Sequence, residues 1–212
     1  MAKGITRKQI VAAALDLLDE KGLEGLTVRA IAARLEVRPP ALYWHMRNKQ
    51  ELRDEMSTTV MRRVSTAVSA LPPADDWRED LAAYARILRS EFLRHRDGAR
   101  VFSGTRITDP EVIRMKEPWL ARWTAQGVSL ADAEDAIDLA VAFVVGFVIE
   151  EQEREQSTET DPSRYSIEQR DAWLGPDVPL VKEAGHLRDG GEQRFERHLG
   201  IVLDGLAARI GG

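Results

Sequence analysis

The tightest constraint on this chain is a pair of adjacent prolines, Pro39 and Pro40, lodged between two short segments of helical apolar spacing. Proline has no backbone N–H, so neither residue can lie in a helix interior. Residues 27–49 therefore read as two short helices joined by a tight turn. Thr27 is placed to cap the first, where Val28, Ile31, Ala32 and Leu35 form one apolar stripe. Glu36, Val37 and Arg38 make the turn, with Val37 tucked between the helices. A residue before proline is pushed out of the α region, so Arg38 and Pro39 are expected to be extended. Pro40 then fits the first position of a helix reaching about Met46. This second helix has no Ser, Thr, Asp or Asn cap. Its remaining N–H groups and positive dipole end are expected to stay open to a phosphate or a base edge.

Leu42 and Met46, four apart, are the expected inward anchors of the second helix. Its outward side carries rings and cations instead of plain aliphatics. Arg29, Arg38, Arg47 and Lys49 bracket the helix pair, as groups that grip phosphates must. Tyr43 and His45 can reach a backbone or a base, Ala41 can touch a thymine methyl, and Arg38 can read a guanine edge. The expected nucleic-acid surface is thus Thr27, Arg29, Arg38, Pro39, Pro40, Ala41, Tyr43, Trp44, His45 and Lys49. Charge is distributed to match. Residues 1–50 hold nine Lys/Arg against five Asp/Glu, net +4, and the remainder holds 21 against 30, net −9. A basic head on an acidic body suits a reader of duplex DNA. The alternative is a small helical bundle with a solvated, mildly basic face.

Beyond the head, helices are expected nearly throughout, so the fold class is all-α. Thr6 and Gln9 form a capping box for a first helix, with Ile10, Ala14, Leu17 and Leu18 buried and Gly22 closing it. Asn48 with Glu51 opens a long helix that runs to the Pro72–Pro73 break. Asp76 with Glu79 starts another, to about His95. Asp109-Pro110-Glu111 begins one that ends near Gly127. Ser129 with Asp132 begins the most apolar helix, to about Glu155. Residues 156–180, polar and Pro-rich, are expected to form a mobile loop. A last helix spans about Glu192 to Ile210.

Between Ile137 and Ile149 the chain is apolar almost all round, so that helix must be buried on more than one side. It is a central core helix, or it lines the core with one face and meets its twin with another. The small residues Ala140, Ala142 and Gly146 permit a close neighbour.

Several classes fall away. There is no cysteine, hence no disulfide and no thiolate metal site, which fits a cytoplasmic home. The start is charged and lacks the apolar run of a signal peptide. Thirteen residues, 137–149, are too few to span a bilayer, so no membrane role is expected. The four histidines, at 45, 95, 186 and 198, show no metal-ligand spacing. No phosphate loop, nucleophile elbow or serine–histidine–acid order is visible, so an enzyme is not expected.

The runs AALDLLDEKGLEGLTVRAIAARLEV and ALYWHMRNKQEL resemble the amino-terminal domain of TetR-family transcriptional regulators. HRDGARVFSGTR at 95–106, QGVSLADAEDAI at 126–137 and VIEEQE at 148–153 extend the likeness, most closely to the tetracycline-binding members. The resemblance implies a three-helix, helix-turn-helix DNA-binding domain at 1–48 and a helical ligand-binding and dimerisation domain at 49–212. It implies a homodimer formed by a four-helix bundle of the helix after Ser129 and the last helix. Two heads related by a two-fold axis imply a palindromic operator with half-sites about one DNA turn apart. It further implies a repressor released by a small-molecule inducer. The alternative is a DNA-binding regulator without one, architectural or controlled by a partner protein.

The resemblance also turns a set of apolar and polar residues into an expected effector pocket. These are Ser65, Tyr84, Leu88, Phe102, Thr105, Arg106, Trp119, Trp123, Phe143, Phe147 and Glu150. Residue by residue, the rings among them also suit an ordinary core. Tetracycline-binding members hold a magnesium-chelated drug through histidines and an Asn. At the matching positions this chain carries Phe102 and Ser65 for histidines, Tyr84 for the Asn and Trp119 for a Gln, while Thr105, Arg106 and Glu150 are retained. Phe102 cannot ligate a cation. The expectation is therefore an inducer that is flatter or more apolar, such as an aromatic natural product, antibiotic or other xenobiotic, bound with no metal and no cofactor.

Overall fold

A computed structural model describes residues 4–188 and 190–210, which form twelve helices and no strand. The charged start at residues 1–3 lies outside the described residues. The chain divides into two compact units, one reaching to Val148 and the other beginning at Ile149.

In the first unit, α1 (Arg7–Gly25) opens with the expected capping box. Thr6 accepts from the Gln9 N–H, and the Gln9 side chain accepts from the Thr6 N–H. Ile10, Ala14, Leu17 and Leu18 are buried. Gly22 lies at φ +68° inside the last stretch of α1, a conformation that costs other residues a Cβ clash, so it breaks the regular helix there. α2 (Val28–Arg34) is capped by Thr27, which accepts from the Ala30 N–H at 3.1 Å. After Glu36, itself at φ +55°, comes α3 (Pro40–Tyr43), followed by α4 (Lys49–Ser69), capped by Asn48 through the Glu51 N–H at 2.8 Å.

α4 is the axis of this unit and packs against α1 on one side and against α5 (Trp77–Leu93), α6 (Gly98–Phe102) and α7 (Pro110–Arg114) on others. Met56, Val60 and Val64 follow at four-residue spacing and are buried with Leu52, Met61 and Val68. α5 buries Trp77, Leu81, Tyr84, Leu88 and Phe92 along one stripe. The helix expected from Pro110 to Gly127 is two helices, α7 and α8 (Glu117–Ala125). Pro118 supplies the reason: in a continuous helix its ring would meet the carbonyl of Arg114, and it has no N–H to donate there. α9 (Leu130–Thr160) starts at Ser129, whose hydroxyl accepts from the Asp132 N–H at 3.1 Å. In its first part Ala133, Ala136, Ile137, Ala140, Val144, Phe147 and Val148 are buried, while Leu139, Ala142 and Gly146 are exposed.

In the second unit, α9 continues five residues past the expected end. The segment 156–180, expected to be a loop, instead holds the end of α9, all of α10 (Ile167–Leu174) and the start of α11 (Pro179–His186). Local chemistry accounts for both short helices. Ser166 caps α10 through the Gln169 N–H at 3.2 Å, and Pro179 occupies the first turn of α11. Arg170 of α10 reaches the carbonyl of Lys182 on α11 at 3.1 Å, and Asp171 meets His186 at 2.8 Å. α12 (Gly191–Ile210) buries Phe195, Leu199, Leu203 and Leu206.

Candidate DNA-reading surface and effector pocket

The segment 27–49 folds so that its aliphatics turn inward and its rings and cations turn out. Leu42 and Met46 are buried, and Val28, Leu35 and Val37 are half-buried. Thr27, Arg29, Arg38, Pro39, Pro40, Tyr43, Trp44 and Lys49 are exposed, and Ala41 and His45 are half-buried. Trp44 is 89% exposed and Tyr43 55%, which no core requirement explains. Arg47 is also exposed.

Two expectations about this segment are corrected. Pro39 is helical, at φ −49° and ψ −38°, not extended. The local bonds of the turn decide this: the Ala41 N–H donates to the Arg38 carbonyl at 2.9 Å and the Leu42 N–H to the Pro39 carbonyl at 3.1 Å. Tight i→i+3 bonding and the burial of Leu42 together outweigh the steric bias against an α residue before proline. The same bonds use two of the N–H groups expected to stay open. Pro39 and Pro40 have none, and those of Ala41 and Leu42 are taken.

The head is joined to the helices behind it by polar contacts that the sequence did not announce. Near the end of α1, Asp19 faces His95 Nδ1 at 3.0 Å, and His95 Nε2 faces Arg63 of α4 at 3.0 Å. Asp97 accepts the Leu23 N–H at 2.7 Å, just past Gly22. At the start of α4, Gln50 donates to the Gly104 carbonyl at 3.2 Å, and Arg53 donates to the carbonyls of Arg100 and Ser103 at 3.1 Å each. Buried Asp54 accepts from the Arg106 N–H at 3.3 Å and faces its guanidinium at 3.5 Å. The loop after α6 is thus fastened to the first two turns of α4.

The expected pocket residues fall into separate groups. Tyr84, Trp119 and Trp123 form a row of rings, with centroids 5.4 Å apart for the first pair and 5.9 Å for the stacked second. Trp77, not anticipated, extends the row at 6.1 Å from Trp123. Buried Asp80, also missed, accepts from the Trp123 indole N–H at 3.0 Å and from Arg122 at 2.6 Å. Trp119 also walls a cleft of about 280 Å³ with Val68, Pro72, Pro73, Pro118 and Arg122. Burial, then the Asp138 carboxylate, push the Tyr84 phenol well above its ordinary range, so it stays neutral. Phe102 is half-buried and packs on Phe92 at 5.1 Å, while Phe143 and Phe147 pair at 5.7 Å on α9.

The remaining members of the set are polar or singly placed. Leu88 is fully buried, and Ser65 is half-buried on α4. Thr105 and Arg106 sit in a polar cleft of about 440 Å³ with Gln50 and Asp54. Glu150 is exposed and lies in the second unit. An apolar ring at 102 and a phenol held neutral at 84 make a poor donor set for a hard cation, so the residues present do not fit a magnesium-chelated ligand.

Residues 10–56 match the family model for bacterial regulatory proteins of the tetR family, and residues 70–210 match the tetracyclin repressor-like C-terminal domain. The tetracycline repressor protein class A from transposon 1721 of Escherichia coli is 38% identical over 203 residues, 94% of this chain and 89% of that protein. Among solved structures, the Streptomyces coelicolor TetR family protein ActR in complex with (S)-DNPA has a TM-score of 0.79 at 29% identity, covering 97% of this chain and 98% of that one. A single-residue variant of TetR from Acinetobacter baumannii AYE in complex with minocycline has a TM-score of 0.74 at 30% identity, with the same coverage of both chains. No helix among the described residues is long and apolar enough to cross a membrane. The chain belongs to the TetR family of ligand-responsive, DNA-binding transcriptional repressors, which act on their operators as homodimers.

Proposed function

We propose that the protein grips a palindromic operator through Arg29, Arg38, Arg47 and Lys49 and reads it with Ala41, Tyr43, Trp44 and His45. Thr27, Pro39 and Pro40 shape the surface from which these side chains project. Residues 1–48 are the reading head, and residues 49–212 receive an inducer and hold the dimer together. The observation that carries this reading is the exposure of Tyr43 and Trp44 beside cations, on a turn whose aliphatics are all at least half-buried. Binding of a duplex containing the promoter next to its own gene, titrated against salt, tests it. Each phosphate contact contributes roughly −0.9 to the slope of log affinity against log salt. Lys49→Ala is expected to flatten that slope by about one unit and to weaken all sequences alike. Tyr43→Ala is expected to reduce discrimination between operator and random DNA. Unchanged slope and discrimination in both variants would refute the assignment.

The inducer is a flat, largely apolar molecule taken without metal. Of the expected lining, Trp119 walls a cleft and Tyr84 packs against it, while Leu88 and Trp123 are fully buried core and Ser65, Phe102, Phe143 and Phe147 do not line that cleft. Thr105 and Arg106 are the polar groups available to it in the first unit. The relatives complexed with minocycline and (S)-DNPA support small-molecule control in general. Phe102 at the position expected of a metal-bound histidine, with Ser65 and Tyr84 where a histidine and an Asn are expected to hold the drug, favours a different ligand chemistry. Micromolar, magnesium-dependent binding of tetracycline in a calorimeter would overturn this part. The route to the head is α4, which packs against α1 as well as against α5, α6 and α7. A ligand that displaces α6 and its following loop pulls on Gln50, Arg53 and Asp54 at the head end of α4. Coupling of about 1–3 kcal/mol changes operator affinity roughly 5- to 150-fold.

A further inference from the structure

α3 contains four residues, and a single helical turn has no stability of its own. Leu42 and Met46 seat its inner side. Its exit is fixed by a different device. The Arg7 Nε of α1 donates to the His45 carbonyl at 2.7 Å, and the same guanidinium contacts Glu51 and, at 3.2 Å, Glu55 of α4. The other oxygen of Glu51 accepts the Arg47 backbone N–H at 2.6 Å and its Nε–H at 3.2 Å. One mostly buried carboxylate therefore joins α1, the exit of α3 and the first turn of α4.

We propose that Glu51 and Arg7 form a positioning clasp for the reading helix: they set the pose of Tyr43, Trp44 and Lys49 on the operator without touching it. The proposal rests on the DNA-reading assignment above. It explains an arrangement that electrostatics alone disfavours, because a carboxylate two residues from Lys49 repels the phosphates that Lys49 is placed to meet. Neutralising Glu51 has opposite consequences under the two views. If Glu51 is only a nearby charge, its loss tightens operator binding. If it positions the helix, its loss weakens operator binding and leaves or raises affinity for random DNA.

The test uses the full chain with Glu51→Gln, Arg7→Gln, the double variant and Glu51→Asp, which keeps the charge but shortens its reach. Affinity is measured on the operator duplex and on a scrambled duplex of equal length at one salt concentration. Circular dichroism melting checks folding. Glu51→Gln is expected to lose about tenfold on the operator, the magnitude of one charge-assisted network, with no loss on scrambled DNA. Arg7→Gln is expected to behave alike on the operator, and the double variant to be no worse than the weaker single, because the two act as one unit. Glu51→Asp, if folded, is expected to lose specificity too, so the outcome does not depend on the Gln variant folding. Operator binding by Glu51→Gln or Glu51→Asp as tight as, or tighter than, the parent's would overturn the clasp. A parent protein that does not distinguish operator from scrambled DNA would instead refute the reading surface, and the clasp with it.

Discussion

Asp80 is a carboxylate whose work is visible only in three dimensions. It is buried, and one oxygen accepts both the Trp123 indole N–H and the Arg122 guanidinium. Replacing it by Ala leaves an indole N–H unpaired in a fully buried site and strands a half-buried cation. We expect Asp80→Ala to cost about 3 kcal/mol in urea unfolding, within the range for breaking one side of a buried pair, and Asp80→Asn to cost less because an acceptor remains. The tryptophans were legible as pocket or core candidates; their anchor was not, because it lies 43 positions away from Trp123. Glu51 yields a prediction with a definite sign. Hydrogen bonds from the Arg47 backbone, then from the Arg7 and Arg47 side chains, hold its carboxyl down to about 2, from an ordinary 4.5. A depressed folded-state value means that its contribution to stability is complete above pH 4.5 and lost as pH falls toward 2. The stability gap between the parent and Glu51→Gln, followed by denaturation at successive pH values, should therefore narrow below pH 4.5 and close near pH 2.

Elements show why some of this fold could be read in advance. Caps at Thr6, Thr27, Asn48 and Ser129 are legible because each satisfies N–H groups two or three residues along, with no help from the tertiary structure. The break between α7 and α8 was hidden although Pro118 was in view. Val112, Trp119 and Trp123 are all buried, and their spacing mimics one continuous stripe. α10 has no buried residue, so it left no apolar period to find. The pose of Pro39 went the other way, because a local steric bias lost to hydrogen bonds and packing that only the folded turn supplies. For α3 itself, Leu42 is the decisive contact. Leu42→Ala is expected to cost about 2–4 kcal/mol, as for other buried leucines. It should also abolish operator preference while the signal of the remaining helices survives, which circular dichroism and binding on the same sample would show. At the other end of the head, Gly22→Ala would place a Cβ at φ +68°, 3.0 Å from the Asp97 carboxylate that receives the Leu23 N–H. A loss of about 1–2 kcal/mol is expected in thermal melting, from backbone conformation alone.

At the scale of the whole molecule, the unburied faces of α9 and α12 carry the argument. Leu139 is 54% exposed and Ile201 65%, each on a helix whose opposite side is packed. Beside Leu139, Ala142 and Gly146 are exposed too, and a Cβ added at Gly146 would meet nothing within 4 Å. An apolar side with such small residues suits close approach by a second copy, as the sequence reading of the apolar run allowed. What that reading could not decide was which face would be left over, because an all-round apolar helix has no distinguishable sides until its neighbours are in place. In a two-fold dimer each substituted side chain enters the interface twice, so one charge per protomer becomes a like-charged pair. Burial of a Leu or Ile contributes roughly 1.5–3 kcal/mol, and Arg at both positions forfeits that on both protomers while adding repulsion. The Leu139→Arg, Ile201→Arg double variant is therefore expected to sediment as a folded monomer where the parent sediments as a dimer. Its affinity for a single half-site should match that of the parent. Its affinity for the full palindrome should fall to the half-site value, because two reading heads joined by one body gain from the high effective concentration of the second after the first has bound. A double variant that remains dimeric would place the contact elsewhere. One that became monomeric yet kept full palindrome affinity would show that the two heads read their half-sites independently.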